Sequence, residues 1–192
     1  MDKYTILLVD DEEEVIQAII RKINWEELGF SVVGYADNGI KALEMIEESQ
    51  PDVVMTDIKM PYMDGLTLCK NLKQSYRNMK VIIYSGFDDF EFAREAVHLE
   101  AEEYLLKPIS AGDMEAAFSK VRKKLDQEYD EYRNLNRLSE YYRKSLPAMR
   151  EQLVMGILEG RIAGERARMM MEPYEMHLEA PFYVVSALYM DV

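Results

Sequence analysis

Three aspartates, a serine and a lysine each stand directly behind a short apolar run in this chain. Asp10 and Asp11 follow the run 4–9, and Asp57 follows 53–56. Ser85 follows 81–84, and Lys107 follows 104–106. If these runs are parallel strands of one sheet, the five side chains gather at its carboxyl edge, where open α/β sheets bind ligands. Three neighbouring carboxylates repel, so they stay ionised only beside a cation or a lysine. A carboxylate cluster with a hard divalent ion, a hydroxyl and a lysine is equipped to receive a phosphoryl group, because a carboxylate can itself act as a covalent nucleophile.

The elements that must position this set alternate between two periodicities. Strand-like runs at 4–9, 31–36, 53–56, 81–84 and 101–106 are separated by segments with helical spacing. Val15, Ile16, Ile19, Ile20 and Ile23 mark the first helix, and Leu43 and Ile46 mark one capped by Asn38 and ended before Pro51. Pro61 and Gly65 read as a loop before a helix with Leu66, Leu68 and Leu72. A further helix is expected over 89–98, and Ser110 with Asp113 reads as a capping box for the next. Alternating strands and helices predict an α/β fold with a parallel sheet covered on both faces.

From Phe118 the pattern changes to heptads. One column runs Phe118, Leu125, Tyr132, Ser139, Leu146 and Leu153; the other runs Val121, Glu128, Leu135, Tyr142, Met149 and Gly156. This predicts a long amphipathic helix, either one strand of a two-stranded coiled coil or a single helix packed on its own domain. Pro147 is expected to start a new helix, since proline fits poorly inside one. A shorter helix is expected over 149–161 and another over 163–176, broken at Pro173. A strand is expected over 182–191, and the chain is expected to be cut inside a second domain.

Bulk properties exclude several classes. The chain has 192 residues, 48% of them hydrophobic, and a net charge of −13. That acidity argues against direct wrapping of nucleic acid and against an anionic membrane surface. Cys69 is the only cysteine, which excludes a disulfide and a Cys-based zinc site and fits a reducing cytoplasm. No apolar run reaches the length of a membrane span. His98 and His177 lack metal-ligand spacing, and Gly39, Gly65 and Gly86 form no phosphate-cradling loop. Met169, Met170 and Met171 read as packing.

Four segments together carry a resemblance: Leu8-Val9-Asp10-Asp11-Glu12, Thr56-Asp57-Ile58-Lys59-Met60-Pro61, Ser85-Gly86-Phe87 and Tyr104-Leu105-Leu106-Lys107-Pro108. Their order and spacing resemble the receiver domain of bacterial two-component response regulators over roughly residues 1–125. Trp25 with Leu28-Gly29-Phe30, Asp37-Asn38-Gly39 and the stretch 85–93 resemble the AraC-type (YesN-like) output subfamily. The resemblance implies a doubly wound five-stranded parallel sheet of flavodoxin-like order 2-1-3-4-5, followed by a helical linker (126–146) and the start of a truncated middle domain (147–192).

It also implies roles. Asp57 would accept a phosphoryl group from a sensor histidine kinase. Mg²⁺ would be held by Asp11 directly, by Asp10 through water, by Asp57 and by the main-chain carbonyl of Lys59. Lys107, joined to Pro108 by a cis bond, would pair with the phosphoryl oxygens. Ser85 would be the switch hydroxyl and Tyr104 the switch aromatic. Phosphorylation would favour a homodimer in the cytoplasm, and promoter DNA would be bound by an output domain absent from this chain. Two other classes stand beside this one. A metal-dependent phosphohydrolase with an Asp nucleophile usually carries an acid two residues later, where this chain has Lys59. A pseudo-receiver scaffold should lack one of Asp11, Asp57 and Lys107, and all are present.

Overall fold

The computed structural model describes residues 3–86 and 90–176. The strand expected over 182–191 and the residue Phe87 lie outside the described residues. The described chain falls into two units that divide after Glu128.

The first unit is built on five parallel strands: β1 (Tyr4–Val9), β2 (Phe30–Ala36), β3 (Val53–Asp57), β4 (Lys80–Ser85) and β5 (Glu103–Leu106). Their order is β2-β1-β3-β4-β5, the doubly wound order expected. Helices α1 (Glu13–Lys22), α2 (Trp25–Leu28), α3 (Gly39–Ser49), α4 (Gly65–Ser75) and α5 (Phe90–His98) fill the crossovers, and α6 (Ala111–Leu158) follows β5. The one-turn α2, capped by the Asn24 side chain, was not expected.

Strand side chains alternate between the two faces. Ile6, Leu8, Val53, Met55, Ile82 and Tyr84 belong to one core, closed by Ile16 and Ile19 of α1, Trp25, and Phe118, Val121 and Leu125 of α6. Leu7, Val9, Val54, Val81 and Ile83 belong to the other, closed by Ala42, Ile46, Leu68, Leu72 and Ala96. Both faces are covered, so the strands read as nearly continuous apolar runs.

Caps end the apolar patterns where the sequence predicts. The Asn38 carboxamide accepts from the main-chain N–H groups of Ile40 and Lys41. The Ser110 hydroxyl accepts from the Asp113 N–H at 3.1 Å and donates to the Asp113 carboxylate at 2.6 Å. That cap differs from a full capping box, in which the acid would reach the cap's own N–H.

Helix α6 corrects two expectations. Its first apolar positions are spent inside the first unit: Met114, Ala117, Phe118, Val121 and Leu125 are all buried there. In these turns the single-helix reading holds, and Glu128, placed in the expected seam, bonds the buried Lys80 at 2.7 Å instead. Secondly, Pro147 does not start a new helix; it lies inside α6, which continues to Leu158. An interior proline leaves the carbonyl four residues earlier without its donor. That carbonyl belongs to Arg143, and Arg143 and Pro147 are both exposed, so water can serve it. Leu146 and Leu153, one on each side of the proline, are buried within the second unit and hold the helix through it.

In that second unit α7 (Gly164–Met171) stops ahead of a 3-10 turn (Glu172–Tyr174) containing Pro173, close to the break expected. The Tyr142 hydroxyl donates to the Pro173 carbonyl, and the Arg150 Nε donates to the Tyr174 carbonyl at 2.7 Å.

Candidate functional site at the carboxyl edge

β1 lies between β2 and β3, so the strand order reverses there and leaves a crevice at the carboxyl ends. Asp10 leaves β1 at this point and Asp57 ends β3. Both have the parity of the core face that carries Ile6, Leu8, Val53 and Met55. Tyr84 shares that face and pairs with Asp57 across the β3–β4 register.

The loop after β3 is drawn tightly over the strand end. The Gly65 N–H donates to the Ile58 carbonyl at 2.9 Å, and a Cβ at Gly65 would stand 1.9 Å from the Asp57 carbonyl oxygen. Only glycine permits that approach. Asp64 caps α4 by accepting from the Thr67 N–H at 2.7 Å.

Asp10 is 1% exposed, and both of its carboxylate oxygens are bonded. Its Oδ1 accepts from the Glu12 N–H at 2.8 Å. Its Oδ2 accepts from the Tyr84 hydroxyl at 2.6 Å and from Lys107 Nζ at 2.9 Å. The same ammonium is 2.9 Å from Asp57 Oδ1, while Asp57 Oδ2 accepts from the Lys59 N–H at 2.9 Å. Lys107 is delivered by β5: its N–H donates to the Ser85 carbonyl at 2.7 Å, and the Lys107–Pro108 bond is cis.

One ammonium therefore serves two buried carboxylates. Burial pushes the Asp57 acid above its ordinary value; Lys107 opposes the shift, and the Asp10 charge adds to it. Burial lowers the Lys107 value, but its bonds to Asp57 and Asp10 more than offset this and leave it raised. Burial and the Asp10 charge also push the Tyr84 phenol well upward.

The remaining expected residues divide into two groups. Asp11 is exposed at the mouth, and the Lys59 ammonium lies 5.9 Å from the Phe92 ring centroid. Ser85 and Tyr104 belong to the opposite side of the sheet. Ser85 ends β4 fully buried, and Tyr104 is half-buried opposite Ile83 and packs on the second core. The edge thus brings Asp10, Asp57 and Lys107 into direct contact, while Ser85 and Tyr104 line the other face. Tyr84 was missed by the sequence reading. Its signal is the two-residue alternation, which gives it the face of Asp10 and Asp57.

The donor set suits Mg²⁺ in kind, because every side-chain donor is a carboxylate oxygen and Mg²⁺ prefers such hard ligands. The shared lysine leaves negative charge uncompensated, which a cation would relieve. Among the described residues no three acidic, histidine or cysteine side chains already converge as a cage. A groove of about 340 Å³ lies beside the cluster, lined by Val15, Ala18, Ile19, Lys107, Pro108 and Met114 among others.

A doubly wound sheet with a buried acid–lysine cluster at its switch point defines the class, an α/β domain with its polar site at the carboxyl edge of the strands. Comparison with known proteins supplies the family: the response regulator receiver domain matches residues 6–119, and the chain belongs to that family. It is 36% identical over 161 residues to the uncharacterized transcriptional regulatory protein YesN of Bacillus subtilis, covering 84% of this chain and 43% of that protein. It is 31% identical over 133 residues to the transcriptional regulatory protein HptR of Staphylococcus aureus, covering 69% of this chain and 52% of that one. The chain thus spans about half the length of these curated relatives.

Among solved structures, the receiver domain of AraT from Geobacillus stearothermophilus matches with TM-score 0.63 and 37% identity, over 67% of this chain and 99% of that one. A two-component transcriptional regulator AraC from Clostridium phytofermentans matches with TM-score 0.61 and 34% identity, over 65% and 97%. The chain therefore contains a response regulator receiver domain, a signalling module. No helix among the described residues is long and apolar enough to cross a membrane.

Proposed function

We propose that this protein works in the cytoplasm, that its Asp57 accepts a phosphoryl group from a sensor histidine kinase, and that the modified domain changes its dimer state. The observation that carries this reading is the Asp57 carboxylate at the strand edge, 2.9 Å from a lysine that also holds Asp10. An Asp57 oxygen attacks phosphorus, the bond to the donor atom breaks, and an aspartyl phosphate forms. Lys107 moves from the carboxylate to the new phosphoryl oxygens as a mobile point charge. Asp10, Asp11, Asp57 and the Lys59 carbonyl would hold Mg²⁺, which when bound neutralises charge on the transferred group. Phosphoryl transfer needs little else beyond positioning and charge.

Ser85 would turn its hydroxyl to the phosphoryl group, and Tyr104 would follow on the same face. A charge-assisted hydrogen bond contributes about 1.5–3 kcal/mol. Moving a population from 1:99 to 99:1 takes about 5.5 kcal/mol, so Lys107 and subunit contacts must supply the rest. The face for those contacts is α5, β5 and the start of α6, where Phe90, Val97 and Leu106 are exposed. Residues 1–125 would form the receiver, 126–146 the linker and 147–192 part of a middle domain. Promoter DNA would be bound by a further region of the relatives' length that this chain does not span. A pseudo-receiver scaffold is disfavoured because Asp11, Asp57 and Lys107 are all present.

Sedimentation of the chain with Mg²⁺, with and without acetyl phosphate, tests the switch. A rise in the dimer fraction with phosphodonor is expected; equal fractions at matched concentration would contradict it.

A further inference from the structure

We propose that Tyr84 is a positioning residue for the cation site, acting through Asp10. The inference rests on the proposed Mg²⁺-dependent function and names a residue that sets its cation affinity. A buried tyrosine hydroxyl ordinarily finds some acceptor, so a hydrogen bond alone would say little. Tyr84 does more, because it touches two members of the cluster. Its hydroxyl donates to Asp10 Oδ2 at 2.6 Å, and Lys107 Nζ stands 4.5 Å from its ring centroid. Its main chain is opposite Asp57 in the β3–β4 register.

The arithmetic of the Asp10 carboxylate gives the contact its consequence. A carboxylate offers about four lone-pair sites. Glu12 N–H, Tyr84 hydroxyl and Lys107 Nζ occupy three, leaving one for a cation or its water. Tyr84 is 1% exposed, fixed between strand and core, and cannot follow the carboxylate if it rotates. The hydroxyl therefore selects one rotation of Asp10, and the ring limits where Lys107 can go when it releases that oxygen. Groups that orient a metal-ligating carboxylate commonly set its metal affinity.

The test uses the unphosphorylated 192-residue chain. Mg²⁺ binding is measured by titration calorimetry for the unsubstituted chain, Tyr84→Phe, Asp10→Asn and the double variant. The Phe variant keeps the ring over which Lys107 lies and deletes only the hydroxyl. Tyr84→Phe should weaken Mg²⁺ binding about tenfold, as loss of an outer partner does. In the Asp10→Asn background the same change should add nothing, because the effect runs through the Asp10 carboxylate. An unchanged or tighter Mg²⁺ affinity in Tyr84→Phe would overturn the inference, as would an undiminished loss in the Asn background. The proposed metal site itself fails in a different way: the unsubstituted chain would take up no Mg²⁺, and this inference would fall with it.

Discussion

Two regions of this chain use large side chains in opposite ways. At the carboxyl edge of the sheet, Tyr84, Asp10 and Lys107 are buried or half-buried and bonded to one another. In the middle of α6, Tyr129, Tyr132, Leu135 and Leu138 are about two-thirds exposed, at 61%, 66%, 65% and 65%. At the edge one ammonium, that of Lys107, bridges the Asp10 and Asp57 carboxylates. The α6 stretch presents an apolar surface of the kind that a second protein surface commonly covers. The cluster at the edge and the exposed stripe are different residues, so substitutions in the stripe should alter association without altering phosphorylation.

The largest break should come from Lys107→Met. It removes the ammonium that bridges Asp10 and Asp57, a group placed to meet charge that develops during transfer. Deleting one such preorganised group slows reaction by about 10²–10³-fold, so phosphorylation by acetyl phosphate should fall by that much. Quantitative intact mass spectrometry over time would read the rate, and a change under tenfold would mean the lysine is a bystander.

Gly65→Ala should come next. Its Cβ would meet the Asp57 carbonyl, which belongs to backbone and cannot swing away. Overpacking of this kind costs about 1–3 kcal/mol, visible in chemical denaturation as a lower midpoint. A midpoint equal to that of the unsubstituted chain would show that the loop relaxes freely.

Leu135→Asp addresses the other region. Burying a leucine contributes about 1.5–3 kcal/mol, so any dimer seamed by α6 should weaken at least tenfold. Phosphorylation of Asp57 should be untouched. Unchanged sedimentation would show that the exposed stripe is not a seam between copies.

The smallest effect is on pH. Because burial raises the Asp57 acid, its carboxyl in the metal-free chain should take up a proton at a pH above that of an ordinary aspartate. An NMR titration of the Mg²⁺-free chain with a midpoint at or below the ordinary value would contradict this sign.

The sequence is legible where one rule decides the outcome. Apolar runs bounded by Asp, Gly and Pro mark the five strands, and the residue just past each run marks the edge. Legibility fails where two rules compete. Proline inside a helix is unfavourable, yet Leu146 and Leu153 bury on both sides of Pro147 and the helix continues. The heptad columns show which residues of α6 are apolar but cannot say what covers them. Phe118 and Leu125 are covered by their own unit, while Tyr132 and Leu135 are exposed. Tyr84 lies inside an apolar run like any other strand residue, and only its parity places it on the face of Asp10 and Asp57.

Whether Asp57 is the acceptor is the claim on which the rest depends. The chain and its Asp57→Asn variant, each incubated with acetyl phosphate and Mg²⁺, can be compared by intact mass spectrometry. A single phosphoryl adduct is expected on the unsubstituted chain and none on the variant. An adduct of equal extent on Asp57→Asn would remove Asp57 from the role.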